Sequence, residues 1–213
     1  HSNKVAQRHH LSIIMDHSPR FNILSAEERV FYLKIREWRD AKLMSICGFL
    51  KQHHVTPDIV TYIGFLMMIP FVYFFSFNPW IALIFLLINV FLDSLDGALA
   101  RLQGVPSIKG EMLDTSIDYL SFFTVFLTFM YHGLVSPFWG AVYLLNYVIM
   151  MCLLIFINAL KLKLFVVIKS RLLVYLFFII WLITGNNYFD PLLVLGIVYM
   201  MITNIFLFHR LRC

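Results

Sequence analysis

Four carboxylates stand where an apolar chain should carry none. Asp93 and Asp96 interrupt one long hydrophobic run, and Asp114 and Asp118 interrupt the next. A charged side chain at mid-bilayer costs at least about 2.5–3.5 kcal/mol on insertion scales. Placement toward the end of a span lowers that cost, yet four such acids still call for compensation. At about 100° per residue, Asp93, Asp96, Gly97 and Ala100 share one stripe of a helix. Gly110, Asp114 and Asp118 share another at i, i+4 and i+8. A short loop containing Gly and Pro joins the two runs, so the helices are expected to be antiparallel neighbours with facing stripes. Ionised together, the acids repel, and divalent cations resolve this. Oxygen donors without nearby His or Cys select Mg²⁺, Mn²⁺ or Ca²⁺ over Zn²⁺. Gly97, Ala98, Ala100 and Gly110 leave room for a diphosphate, although small residues also simply let membrane helices approach. Arg101, one turn beyond Gly97, can fork onto phosphate oxygens; alone it would be an orientation anchor. The set predicts a metal site shaped for phosphoryl chemistry.

The elements that must position these groups follow from composition. The chain has 213 residues, enough for one domain. It is 61% hydrophobic and 14% charged, against about 45–50% and 25% in soluble domains. That excludes a soluble globular enzyme, and 17% aromatic content excludes disorder. Six apolar runs, at 59–77, 81–102, 110–132, 137–160, 164–184 and 191–208, each approach the ~20 residues of a membrane-crossing helix. Turn chemistry separates them: Asn78-Pro79, Gly104-Val105-Pro106, Gly133 to Pro137 and Gly185-Asn186-Asn187. The expected architecture is an all-α integral membrane protein with six transmembrane helices, forming a catalytic domain over 55–213.

Residues 25–51 form a different segment. Ser25 and Glu28 fit a capping box. Val30, Phe31, Ile35, Trp38, Met44 and Phe49 alternate with Arg29, Lys34, Arg36, Arg39 and Lys42. Such a helix suits the headgroup plane, or else packs on the protein as a cytoplasmic helix. Residues 1–24 are polar and His-bearing, show no cleavable signal, and are set aside as a tail, for which an expression remnant is one expectation. All 17 Lys and Arg fall before the first run, flanking the second connection, at the fourth connection and the start of the fifth run, or at the chain's end. With six spans, both termini and the acidic cluster are therefore expected on the cytoplasmic side. Net charge +5 is thus spent on orientation rather than on nucleic acid. Cys47, Cys152 and Cys213 have neither metal nor disulfide spacing.

The sequence Asp93-x2-Asp96-Gly97-x2-Ala100-Arg101-x8-Gly110-x3-Asp114-x3-Asp118 resembles the signature of the CDP-alcohol phosphotransferase family (CDP-alcohol phosphatidyltransferases), with every motif residue present. Thr56-Pro57-Asp58-x2-Thr61-x2-Gly64 resembles the family's Thr-Pro-Asn-x2-Thr-x2-Gly stretch, with Asp58 in place of Asn. The resemblance implies transfer of a substituted phosphoryl group from a CDP-linked substrate to an alcohol, with release of CMP. It implies that Asp93, Asp96 and Asp114 hold two divalent cations, Mg²⁺ or Mn²⁺, with Asp118 as a further ligand or neighbour. It makes Asp118 the general base. It places Gly97, Ala100, Arg101, Gly110 and Thr61, with Asp96, around the nucleotide. A homodimer is also implied. General chemistry agrees: metals neutralise charge on the bridging oxygen, and a positioned base contributes about 10²–10⁴-fold.

Most small members of the family use CDP-diacylglycerol and a soluble acceptor. Lys161, Lys163, Lys169 and Arg171 form a basic cluster, and Ile168-Lys169-Ser170-Arg171 resembles the region where inositol and inositol-phosphate members keep an acceptor-binding Arg. Inositol phosphate, inositol or glycerol phosphate would suit Arg171 and Lys169; simple orientation is the competing reading. Asp118-Tyr119-Leu120 leaves choline open, and serine, or CDP-choline and CDP-ethanolamine with diacylglycerol, remain within the same fold. A membrane prenyltransferase would leave Gly97-x2-Ala100-Arg101 unexplained. A cation transporter would need charges on the far side, where only Asp190 lies. His53-His54 reads as solvated at the interface. Phe122, Phe123, Phe126 and Phe129 read as lipid or helix contacts, and Trp38, Trp80, Trp139 and Trp181 as a belt near the span ends.

Overall fold

The computed structural model describes residues 26–105, 108–160 and 170–212. The tail, Ser25 of the expected capping box, and Lys161, Lys163 and Lys169 lie outside the described residues. Every regular element among the described residues is an α-helix: α1 (Ala26–Gln52), α2 (Pro57–Leu66), α3 (Met68–Phe75), α4 (Pro79–Gln103), α5 (Ile108–Tyr131), α6 (Pro137–Ala159), α7 (Ser170–Thr184) and α8 (Phe189–Arg212). Four stretches are long and apolar enough to cross a membrane: Pro57–Phe75, Pro79–Gln103, Pro137–Ile157 and Phe189–His209. The chain is an integral membrane protein. Acids and hydroxyl residues dilute α5, and α7 spans 15 residues, so neither reaches that standard.

Local chemistry fixes the helix ends around the site. The side chain of Thr56 caps α2 by accepting from Ile59 N–H, with Pro57 in the first turn. Asn78 caps α4 in the same way, accepting from Trp80 N–H at 3.0 Å ahead of Pro79. Gly104 closes α4 at φ 69°, a left-handed conformation that costs glycine little. The N–H of Val105 then bonds Ala100 C=O at 3.2 Å. The first apolar run, expected as one helix, is divided at Met67 between α2 and α3. Pro70 explains the break: it lacks the N–H that would bond the Leu66 carbonyl, and its ring crowds that carbonyl.

Two packed regions hold the bundle. The larger joins α3, α5 and α7 through Phe75, Phe129 and Phe178, whose ring centroids lie 5.1–5.7 Å apart. Phe122 and Phe126 are also fully buried, whereas Phe123 is exposed, so most of that Phe-rich stretch is helix contact. The smaller region packs α1 on α2 and α4 through Leu43, Cys47, Val60, Leu95, Ala98 and Leu99. Helix α1 therefore has a docked face, while Trp38, Met44 and Phe49 are exposed on the rest of its surface. Trp80 is half exposed, whereas Trp181 stacks inward on Phe178 and Phe75. Asp190, expected on the far side, accepts from Ser136 N–H at 2.9 Å and so ties the start of α8 to that of α6.

Candidate active site

Helices α4 and α5 were expected to pack face to face. Instead both pack on α2 and α3 rather than closely on each other. The gap that results is a cleft lined by Thr61 and Gly64 of α2, Asn89, Asp93 and Asp96 of α4, and Asp114, Ile117 and Asp118 of α5. Gly64 sits where a Cβ would meet the Leu92 Cβ at 3.4 Å, so its lack of a side chain lets α2 lie close along α4. All four acids singled out in the sequence face this cleft.

The acids are not equivalent. One carboxylate oxygen from each of Asp93, Asp114 and Asp118 lies within 4.8 Å of the other two. Asp96 is set apart. It is 3% exposed, and Thr61 Oγ1 donates to its Oδ2 at 2.6 Å. The hydroxyl also lies 3.1 Å from Pro57 C=O but has a single proton to give. Thr61 thus touches one of the four cleft acids, a contact that residue spacing alone did not reveal. Three hard oxygen donors at this separation fit a small divalent cation.

Arg171 enters from the start of α7. Its Nη2 donates to Asp93 Oδ2 at 3.1 Å, and its Nη1 pairs with Asp118 Oδ1. The residue is 8% exposed. One cation thus spans the two acid-bearing helices, which satisfies a buried guanidinium and two partly buried carboxylates together. Lys169 lies outside the described residues. Tyr119, Tyr147 and Phe122 form a ring cluster on α5 and α6 beside this group, with centroids 4.8–5.4 Å apart.

Arg101 turns elsewhere. Its Nε and Nη2 donate to the two oxygens of Asp40 on α1, at 2.8 and 2.7 Å. Its Nη1 lies beside Gly97, 3.3 Å from where a Cβ would stand. Ala100 and Gly110 are half-buried at the ends of α4 and α5 that carry the acids. Asp58 is exposed in the first turn of α2. The His53 ring packs tilted against Phe49, with centroids 4.4 Å apart, and His54 is exposed, so that pair takes no place in the cleft.

Two polar residues of the region had gone unremarked. Asn89 is 6% exposed and donates to Gly64 C=O at 2.9 Å. It precedes Asp93 and Asp96 at i, i+4 and i+7, so the stripe already contained it. Asp40 stands at i, i+3, i+7 with Leu43 and Cys47, an acid on the docked stripe of a basic helix.

Known proteins resemble this chain in sequence. The chain is 41% identical over 112 residues to an archaetidylinositol phosphate synthase of Pyrococcus horikoshii, covering 52% of this chain and 58% of that one. It is 38% identical over 86 residues to a phosphatidylinositol phosphate synthase of Cutibacterium acnes, covering 37% and 39% of the two chains. An uncharacterized protein of Aquifex aeolicus is 28% identical over 89 residues, or 45% of its length. The matches thus span about half the length of these relatives. The model of the CDP-alcohol phosphatidyltransferase family matches residues 54–208, which include the cleft-lining residues of α2, α4 and α5 as well as Arg171, and the chain belongs to that family.

Proposed function

We propose that the protein transfers a phosphatidyl group from a CDP-linked lipid, CDP-diacylglycerol, to the hydroxyl of a soluble inositol phosphate, releasing CMP. The observation that carries this is the placement of Arg171 against Asp93 and Asp118. A cation able to fork onto an anionic acceptor stands beside the acid cast as base. That the relatives of Pyrococcus horikoshii and Cutibacterium acnes are inositol phosphate synthases by name supports the same acceptor class.

In this proposal Asp93, Asp96, Asp114 and Asp118 hold two Mg²⁺ or Mn²⁺ ions, which would neutralise charge on the diphosphate and improve CMP as a leaving group. Asp118 takes the proton of the attacking hydroxyl. Thr61 steadies Asp96 and, with Gly97, Ala100, Arg101 and Gly110, lines the nucleotide. Arg171, with Lys169, binds the acceptor phosphate. That role requires Arg171 to loosen its pairing with Asp93 and Asp118 as the acceptor phosphate binds. Six spans, an α1 lying at the membrane surface and a homodimer complete the proposed assembly. Both termini and the cleft face the cytoplasm, as the grouping of basic residues supports.

The test is incubation of purified protein in vesicles with labelled CDP-diacylglycerol and a panel of inositol phosphate, inositol, glycerol phosphate, serine and choline, in Mg²⁺ or EDTA. The expected result is lipid product and CMP with inositol phosphate in Mg²⁺ alone. Product with choline or serine but not inositol phosphate would overturn the acceptor assignment. CMP release independent of Mg²⁺ would overturn the metal assignment.

A further inference from the structure

We propose that Asp40 of α1 is a positioning residue: it grips Arg101 from outside the transmembrane bundle and fixes the direction of the guanidinium toward the donor's diphosphate. This rests on the role of Arg101 proposed above. Three observations support it. First, the pair is a fork on a fork, with Nε and Nη2 of Arg101 on the two Asp40 oxygens at 2.8 and 2.7 Å. Second, that grip uses one edge of the guanidinium and leaves Nη1 over Gly97, where a Cβ would stand 3.3 Å away. Gly97 follows Asp96, so the remaining donor edge lies along α4 on the side of the acids. Third, α1 is anchored to α4 independently of this pair. Lys51 Nζ donates to Leu102 C=O at 3.2 Å, and Leu43 and Cys47 pack on Leu95, Ala98 and Leu99, while Gln103 Nε2 holds the connection after α1 by donating to Val55 C=O at 2.7 Å. The helix is already docked, so the Asp40 carboxylate is not needed as glue.

Chemistry favours orientation over mere attraction. A free arginine has several rotatable bonds to order before it can serve a phosphate. One already held in a fork loses less on binding. Arg39 Nη2 lies 3.5 Å from Asp40 Oδ1, so a second cation limits the negative charge that the acid presents to an incoming anion.

Steady-state kinetics of the full-length protein in vesicles, with CDP-diacylglycerol, Mg²⁺ and inositol phosphate, tests this. Asp40→Asn is expected to raise the donor KM about tenfold or more, with kcat and the acceptor KM within about threefold. Asp40→Glu is expected to recover most of the loss, because it restores the charge and two acceptor oxygens. Lys51→Gln, which loosens α1 without touching Arg101, is expected to leave the donor KM unchanged. In an Arg101→Gln background, Asp40→Asn is expected to add less than about twofold. An unchanged or lowered donor KM in Asp40→Asn would overturn the proposal, as would an equal rise in Lys51→Gln or multiplicative effects in the double variant. Should Asp40→Asn not fold, Asp40→Ser takes its place: a donor KM raised in Asp40→Ser but not in Lys51→Gln supports positioning, and one raised in Lys51→Gln alone, in both equally or in neither overturns it. Wild-type protein that neither binds nor turns over CDP-diacylglycerol would overturn the transferase reading along with the role of Asp40. Normal wild-type turnover with an indifferent Asp40→Asn would overturn only the latter.

Discussion

Replacing Arg171 by Gln removes a buried cation from between two carboxylates on different helices. Breaking a fully buried pair costs about 3–5 kcal/mol, because a charge is left without compensation. Here the side chains of Asp93 and Asp118 are 24% and 30% exposed, so water screens part of that cost. Exposed pairs contribute about 0–1 kcal/mol, which brings the expected loss to about 1–3 kcal/mol. For a chain of this size each kcal/mol moves Tm by about 2–4 °C, so Arg171→Gln should melt roughly 2–12 °C below wild type in EDTA. Mg²⁺ should then act unequally on the two proteins. A ligand at a hundred times its Kd adds about 2.7 kcal/mol to the folded state. In wild type the ion must compete with the guanidinium for oxygens of Asp93 and Asp118, whereas in Arg171→Gln those oxygens are uncontested. Thermal unfolding of detergent-purified protein, followed by tryptophan fluorescence with EDTA and with graded Mg²⁺, reads both effects. The variant should start lower and gain more from the metal, at lower concentration, while its turnover with inositol phosphate falls. Equal melting in EDTA, or a larger Mg²⁺ gain in wild type, would refute the view that Arg171 serves as counter-charge to the acid cluster.

Asp118→Asn should retain CMP binding in Mg²⁺ within a few fold while turnover drops about 10²–10⁴-fold, the usual worth of a positioned base; undiminished turnover would remove Asp118 from that role. Gly196→Ala should destabilise the α6–α8 pair by about 1–3 kcal/mol without moving either KM, because the new Cβ would stand 2.9 Å from Cε2 of the Tyr143 ring; a melt unchanged from wild type would mean the helices have room to part. Cys47 is 2% exposed, and burial, followed by the nearby Asp40 charge, pushes its thiol pKa up. Less thiolate at a given pH means slower alkylation, so with Cys47 as the sole cysteine, maleimide labelling at pH 8 should run at least about tenfold slower than for free cysteine. Labelling at the free rate would show that α1 is undocked.

The acids were legible in the sequence because apolar surroundings make each charge conspicuous, and helical periodicity puts them on two stripes whatever the loops do. That reasoning says which face of a helix a residue occupies. It does not say which third helix completes the site. The cleft depends on α2, which wedges beside both α4 and α5, and Gly64 and Asn89 permit this by a contact between elements 25 residues apart. The break at Met67 follows from Pro70, a proline that hydropathy hides because its neighbours are uniformly apolar. Arg171 could be placed near the basic end of its run by counting charges, but counting cannot distinguish an orientation anchor from a cation on the cluster. Only its two carboxylate partners do so. Asp40 shows the same limit from the other side. Its register with Leu43 and Cys47 was readable, yet in a helix dense with Arg and Lys any acid has a ready local partner. The bond to Arg101, 61 residues away, emerges only once α1 is laid along α4. Membrane helices fix their own faces through the sequence, and the site arises from how those faces are brought together. The residues hardest to foresee are therefore those, like Arg171 and Asp40, whose partners belong to another helix.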